Sequence, residues 1–150
     1  MSKERLYIAY GSNLNLEQME RRCPTAEVVG ATTLKNWRLR FRGGDHSAVA
    51  TIERDKGFQV PALVWRIQPR DEAALDRYEG FPFLYRKETL RVVVNGKRVY
   101  AMIYIMNEAH HPYGAPSLSY FNTIWEGYKS AGFDLDILHN AANDFEEDCK

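Results

Sequence analysis

The sequence lacks the features that mark membrane, nucleic-acid-binding and disulfide-rich proteins. No apolar run is long enough to span a bilayer, and no secretory apolar region follows the N-terminal residues. Lysine plus arginine and aspartate plus glutamate number 20 each, so the net charge gives no attraction for nucleic acid. The two cysteines, Cys23 and Cys149, have neither metal-binding nor redox spacing. We therefore expect a cytoplasmic protein with no nucleic-acid or membrane partner.

Motifs for nucleotide and metal binding are missing or weak. The G-x-G-x-x-G and phosphate-loop patterns are both absent. The pair His110-His111 is the nearest approach to a metal motif, but adjacent residues seldom converge on one ion, and no acidic residue stands at ligand spacing. The sequence therefore predicts no metal site.

Strand and helix patterns alternate irregularly along what we predict to be a single domain, residues 1–150. Predicted strands cover 5–10, 28–34, 37–41, 48–53, 60–67, 85–94 and 99–106, and predicted helices cover 16–23, 69–79, 117–129 and 134–142. Strands outnumber helices, which predicts an α+β fold. We expect a mixed, curved sheet of about six or seven strands closing into a small β-barrel, flanked by three or four helices. The acidic C-terminal residues are expected to fray.

Three arginines, Arg38, Arg40 and Arg42, alternate with apolar residues in and directly after the strand predicted at 37–41. Such a stripe is either a phosphate-binding face or the solvated face of an amphipathic strand. We interpret it as a solvated face, since antiparallel sheets commonly expose one side to water.

A strand that runs into a tight turn and then a helix lies at residues 7–18. The turn is Gly11-Ser12-Asn13, and Asn15 can cap the following helix. Backbone N–H groups at such a helix start can hold an anion or a developing oxyanion. Gly11 allows close approach to the backbone, and the next two side chains add hydrogen-bonding groups. Taken alone, Gly-Ser-Asn is more often only a turn.

Glu79 is the best candidate for a catalytic carboxylate. It lies in the last turn of the helix predicted at 69–79, where an acid opposes the helix dipole. Its neighbours are apolar and aromatic, a setting that raises a carboxyl pKa by disfavouring the ion. A glutamate with such a pKa is a good general base near neutral pH. The alternative from composition alone is a surface glutamate at a helix end.

Three segments, taken together, resemble the motifs of the γ-glutamylcyclotransferase family. Residues 7–14 (YIAYGSNL) resemble its signature loop, and residues 78–86 resemble its second motif, which carries a catalytic glutamate. Residues 116–120 resemble its third motif, Pro-Ser-x-x-Tyr, whose tyrosine contacts substrate. The order and spacing agree over nearly the whole chain.

The resemblance implies a mixed β-barrel with the site at its mouth and a reaction without metal or cofactor. A γ-glutamyl group would cyclise to 5-oxoproline and release an amine, with Glu79 as acid/base. The substrate site would comprise Tyr7, Ile8, Ala9, Tyr10, Gly11, Ser12, Asn13 and Tyr120. The partner would be a small γ-glutamyl compound, and the protein would be a monomer or a homodimer. A binding module of the same fold without turnover is the alternative.

The motif at residues 12–14 narrows the branch of the family to two candidates. Ser12-Asn13-Leu14 places the chain nearer the branch acting on γ-glutamyl amino acids, or the branch that deprotects a γ-glutamylated antibiotic intermediate. The loop at 107–116 and the strand around Trp37 are both candidates for the side of the leaving group, and the sequence does not rank them.

Overall fold

The computed structural model describes residues 4–44, 46–107 and 111–144. Its strands are β1 (Arg5–Ala9), β2 (Glu27–Arg42), β3 (Val49–Ile67), β4 (Tyr85–Val94) and β5 (Lys97–Met106). Its helices are α1 (Leu16–Arg22), α2 (Pro69–Glu79), α3 (Leu118–Ala131) and α4 (Leu135–Asn143), with a 3₁₀ turn at Ser12–Leu14. The fold is α+β with four α-helices, as predicted. No helix in these ranges has the length and apolar character needed to cross a membrane.

The strands form one mixed sheet in the order β2-β3-β1-β5-β4. The central strand, β1, pairs antiparallel with β3 and parallel with β5. The hairpin of β4 and β5 turns at Asn95-Gly96, both with positive φ, as an Asn-Gly hairpin requires. The sheet therefore brings the end of β1 to its middle, where loops from both sides can meet it.

Two long strands replace four of the predicted short ones, so the sheet has five strands rather than six or seven. A register shift between Lys35 and Trp37 lets β2 continue through Asn36, which has a φ of 66°. Opposite it, Gly57 has a φ of 92° and donates its N–H to the Asn36 side chain at 3.1 Å. The turn-forming residues at 55–57 therefore form an irregularity within β3 and do not end the strand.

The sheet does not close into the predicted barrel through backbone hydrogen bonds. Strands β2 and β4 are the two edges of the described sheet and do not pair with each other. Side chains join these edges instead. The Thr32 hydroxyl donates to the carbonyl of Val93 at 2.7 Å, and the Asn95 amide donates to the carbonyl of Val29 at 3.0 Å. The sheet is thus curved enough for its edges to meet, but this seam lacks strand pairing.

The arginine stripe of β2 is not a solvated face. Arg40 is buried and its guanidinium lies 3.8 Å from the ring centre of Tyr113. Arg38 pairs with Asp144 at 2.9 Å, next to α4. The segment at 111–116 and helix α4 cover this side of the sheet, which the alternation of one strand cannot reveal.

Helix α3 packs directly on the turn that follows β1. Gly127 permits the contact, because a Cβ at this position would lie 2.7 Å from the Cβ of Leu14. The close packing fixes the position of the turn relative to α3.

The predicted fraying concerns residues after 144, which lie outside the described residues.

Candidate active site

The loop after β1 presents free backbone amides in a 3₁₀ turn. Gly11 precedes this turn, and the Leu14 N–H donates to its carbonyl at 3.0 Å. In the described part of the chain, the N–H groups of Ser12 and Asn13 have no protein acceptor, as the first turn of a helix requires. Asn15 caps α1 by accepting from the Gln18 N–H at 3.1 Å. The predicted strand–turn–helix is present, but the free amides belong to the short turn before α1.

A cavity of about 250 Å³ opens between this loop, the end of α2 and helix α3. It is lined mainly by tyrosines and by the loop itself: Tyr7, Ile8, Tyr10, Gly11, Ser12, Asn13, Val49, Ala50, Tyr78, Glu79, Leu84, Tyr85, Tyr104 and Tyr120. All the predicted site residues except one are therefore at one place. The exception is Ala9, whose side chain is buried in the core and does not line the cavity.

Side chains of the loop hold two tyrosines in place. The Asn13 amide donates to the Tyr7 hydroxyl at 2.9 Å. The Ser12 hydroxyl lies 2.8 Å from the hydroxyl of Tyr78, which stands immediately before Glu79 in the chain. The loop is thus tied both to β1 and to the end of α2.

Strand β3 contributes a backbone anchor that the sequence did not reveal. The N–H of Ala50 donates to the Tyr120 hydroxyl at 3.1 Å, and its carbonyl accepts from Tyr85 at 2.5 Å. Burial raises the pKa of both tyrosines, so both stay neutral near pH 7. Their only sequence signal is their place in the motifs at 78–86 and 116–120, and nothing in the sequence points to Ala50.

Glu79 enters the cavity at the C-terminal end of α2. The helix ends at Gly80, which has a φ of 65° and accommodates the left-handed conformation of the cap. Burial raises the pKa of the Glu79 carboxyl to about 7, and the positive charge of Arg22 partly opposes this shift. Among the described residues its carboxylate accepts no hydrogen bond. The group can therefore take and give a proton near neutral pH.

Arg22 is a charged neighbour of the site that sequence reasoning missed. Its guanidinium stacks 3.4 Å from the ring centre of Tyr78 and donates to the Asn13 side chain. It also donates to the Gln18 side chain at 3.2 Å. The arginine therefore links the loop to the residue before Glu79. Its position at the end of α1 gave no signal, since basic residues at helix ends are common.

Other candidates lie elsewhere. Cys23 is buried with its thiol 3.6 Å from the Asp71 carbonyl, and burial raises its pKa to about 12, as suits a structural thiol. Trp37 and the described part of the loop at 107–116 do not line the cavity. His110 and Cys149 lie outside the described residues, and no cluster of potential metal ligands occurs within them.

Comparison with known proteins agrees with this geometry. Residues 7–122 match the family model described as "Gamma-glutamyl cyclotransferase, AIG2-like". The chain belongs to this family. The γ-glutamylcyclotransferases of Homo sapiens and Mus musculus are 29% and 30% identical to it, over 87% and 85% of this chain and 73% and 71% of theirs. A solved γ-glutamyl cyclotransferase superposes with a TM-score of 0.82 at 27% identity, covering 94% of this chain and 88% of the other.

The family match includes all three segments that built the site. The loop at 7–14, the end of α2 and the start of α3 all fall within residues 7–122. The γ-glutamylcyclotransferase resemblance of the sequence and the placement of its motifs around one cavity thus agree.

Proposed function

We propose that the protein is a γ-glutamylcyclotransferase that converts a γ-glutamyl group into 5-oxoproline and releases an amine or amino acid. The observation that carries the proposal is Glu79, a carboxyl group with a pKa of about 7 in a cavity otherwise lined by neutral side chains. This arrangement supports the proposal, because the reaction needs an acid, a base and hydrogen-bond donors.

The reaction requires one group to act twice. The α-amine of the glutamyl group attacks its own γ-carbonyl, so it must lose a proton, and the departing amine must gain one. Glu79 as the carboxylate accepts the first proton, and as the acid it donates to the leaving nitrogen. A pKa near 7 leaves both forms available at neutral pH, which a surface glutamate would not.

The loop supplies the second element of the mechanism. The free N–H groups of Ser12 and Asn13 point to a role in holding a negative charge, either the α-carboxylate or the oxygen of the tetrahedral intermediate. The walls of the small cavity, with Tyr7, Tyr10 and Tyr120, would hold the glutamyl chain folded back on itself. The raised pKa values of these tyrosines keep them as neutral hydrogen-bonding groups.

A substrate panel tests the activity. The protein is incubated with γ-glutamyl dipeptides, γ-glutamylamines and glutathione, and 5-oxoproline is measured. Release from any of them supports the proposal and identifies the leaving group. Ligand binding without release across the panel would instead support a γ-glutamyl-binding module without turnover.

Replacing Glu79 tests the mechanism. Glu79→Gln keeps nearly the same shape but cannot shuttle a proton, so we expect turnover to fall by about a hundredfold to ten-thousandfold. Binding of a γ-glutamyl compound should persist. Glu20→Gln, an exposed glutamate of α1, is the matched control and should keep full activity. Retained turnover in Glu79→Gln would overturn this mechanism.

A further inference from the structure

A groove separate from the candidate active site lies at the seam between β2 and β4. It encloses about 770 Å³ and shares no lining residue with the tyrosine-lined cavity. Residues from four strands line it: Ala31, Thr32, Thr33, Leu34, Lys35, Trp37, Arg54, Leu90, Arg91, Val92, Val93 and Arg98. We refer to these residues as the seam groove.

The seam groove carries charge of one sign. Its lining contains four cations, Lys35, Arg54, Arg91 and Arg98, and no carboxylate. Among the described residues none of the four forms an ion pair, whereas neighbouring Arg38 pairs with two acids. In a chain with equal numbers of acidic and basic residues, this grouping concentrates positive potential in one concave place.

Strand register explains why the cations lie together. Arg98 is paired with Val93 across the β4–β5 hairpin, and Arg91 lies two residues from Val93 on the same face. On the other side of the seam, the register shift after Lys35 places Arg54 opposite Trp37, with its guanidinium 4.6 Å from a ring centre. The irregularity that lengthens β2 therefore also places Arg54 against Trp37.

The open seam adds backbone donors to the cations. Since β2 and β4 form no ladder with each other, each strand presents an edge to the groove. An edge strand leaves alternate N–H groups unpaired. One carbonyl of this edge, that of Val93, is occupied by the Thr32 hydroxyl. Amide hydrogens and arginine side chains together form the donor set that suits a phosphate group.

We propose that the seam groove binds a small organic or inorganic anion with two or more phosphate groups. A phosphate ester carries about −1.5 to −2 charges at neutral pH, so two or three such groups balance the four cations. The volume lies within the usual range of about 300–1,000 Å³ for small-molecule sites. The seam groove is thus an anion site independent of cyclotransferase chemistry.

The lining favours such a small anion over nucleic acid. Single-stranded nucleic acids are held mainly by stacking on exposed aromatic side chains within a basic groove. The only aromatic residue of the lining is Trp37, which is only 7% exposed and lies beside the Arg54 guanidinium. Tyr100 is 70% exposed and pairs with Arg91 across the hairpin, but it lies outside the lining, so the seam groove itself offers charge and hydrogen-bond donors rather than a stacking surface for bases.

Calorimetric titration with inorganic tripolyphosphate and with ATP tests the proposal. We expect 1:1 binding of both, with affinity that falls as NaCl rises from about 50 to about 200 mM, since the contacts are ionic. Arg91→Glu combined with Arg98→Glu should weaken binding by about tenfold or more. Cyclotransferase activity should stay unchanged, so failure here is separate from failure of the proposed function.

The control matches the change in net charge. Lys56→Glu combined with Arg70→Glu alters two exposed cations outside the seam groove and should leave binding intact. Equal losses in the two double variants, or no binding by the unmodified protein, would overturn the proposal, as would oligonucleotide affinity that grows with length and exceeds that of tripolyphosphate. If the double substitution to glutamate lowers Tm, Arg91→Gln with Arg98→Gln gives the same comparison with a smaller change in charge.

Discussion

Burial raises the pKa of Glu79, and the charge of Arg22 partly opposes that rise. Arg22 lowers the Glu79 pKa that burial raises, so removing the positive charge should move that pKa upward. We predict that Arg22→Gln shifts the rise of kcat/KM to higher pH, because the base must be ionised in the free enzyme.

The readout for Arg22 is the pH profile rather than the rate at one pH. Arg22 also holds Asn13, so a fall in rate alone would fit a positional effect. Arg21→Gln removes a neighbouring exposed charge of α1 and should leave the profile in place. A profile of Arg22→Gln that superposes on the original would show that Arg22 has no electrostatic role.

Little space is left for a side chain at Gly11. Its φ is −119°, but an added Cβ would lie 3.2 Å from the Cβ of Ala50 and 3.7 Å from the Tyr120 hydroxyl. We predict that Gly11→Val loses activity by about a hundredfold while the protein stays folded, since its methyl groups enter the substrate space. Activity with each γ-glutamyl substrate and a circular dichroism melt measure the two effects.

Gly11→Ala gives the graded comparison. It adds only the Cβ, so its loss should be smaller than that of Gly11→Val. Unchanged kinetics in a folded Gly11→Val variant would remove this loop from the site.

At the residue scale, the sequence predicted the residues that line the cavity better than the contacts that surround them. Glu79 and the loop tyrosines were found because motif and local rule pointed to the same positions. Arg22, Ala50 and Tyr104 were missed because each reaches the site from a different element through a fold-dependent contact. No local pattern contains that information.

At the scale of elements, the junction of α3 with the 3₁₀ turn is tightly constrained. A Cβ at Gly127 would lie 2.7 Å from the Leu14 Cβ and 2.8 Å from its carbonyl carbon. Glycine to alanine normally stabilises a helix interior by about 1 kcal/mol. Here we predict the opposite, a loss of about 1–3 kcal/mol in the free energy of unfolding, because backbone must move.

Urea unfolding measures the Gly127→Ala effect. Asn122→Ala, at an exposed position of the same helix, should be neutral or stabilising. Since Tyr120 lies on α3 and bonds to Ala50, the Gly127→Ala variant should also raise KM. A stabilised variant with normal KM would mean that α3 does not set the position of the loop.

The predicted strand boundaries were wrong where residues typical of turns lie inside a strand. Asn36 and Gly57 both have positive φ, and both lie in the gaps between the predicted short strands. Their mutual hydrogen bond across β2 and β3 converts two apparent turns into one paired irregularity. Helix ends were predicted well, since Pro69, Gly80 and Gly132 act through their own backbone.

At the scale of the whole molecule, the raised pKa of Glu79 makes stability depend on pH. The carboxyl has a pKa of about 7 in the folded protein against an ordinary value of 4.5, so the folded state holds the proton more tightly. Stability from this group is therefore fully present below about pH 4.5 and declines as pH rises through 7. The decline is at most about 3 kcal/mol.

A comparison of two proteins at two pH values isolates this effect. Glu79→Gln cannot ionise, so it should match the unmodified protein near pH 4.5 and be the more stable one near pH 8. Unfolding free energies from urea titrations measure the difference. A difference that is constant across pH would place the cause in packing rather than in ionisation.

The strand order and the open seam could not be predicted from the sequence. The α+β class followed from counting elements, but nothing local states that β1 is central or that β2 and β4 meet through side chains. The seam groove follows from that arrangement, because its cations come from strands that are distant in sequence. The expected closure failed because curvature alone does not specify whether edge strands pair.

The central place of β1 also constrains the order in which the chain can fold. Its two neighbours in the sheet end at Ile67 and Met106, so β1 stays without sheet partners until much later parts of the chain exist. Such non-local pairing is slow and leaves apolar strand edges exposed in the meantime. During synthesis, the loop at 7–14 would gain Glu79 first and Tyr120 last. Ribosome-bound chains that end before α3 should therefore contain the sheet but no complete site, and chains that end before β5 should be the ones most in need of a chaperone.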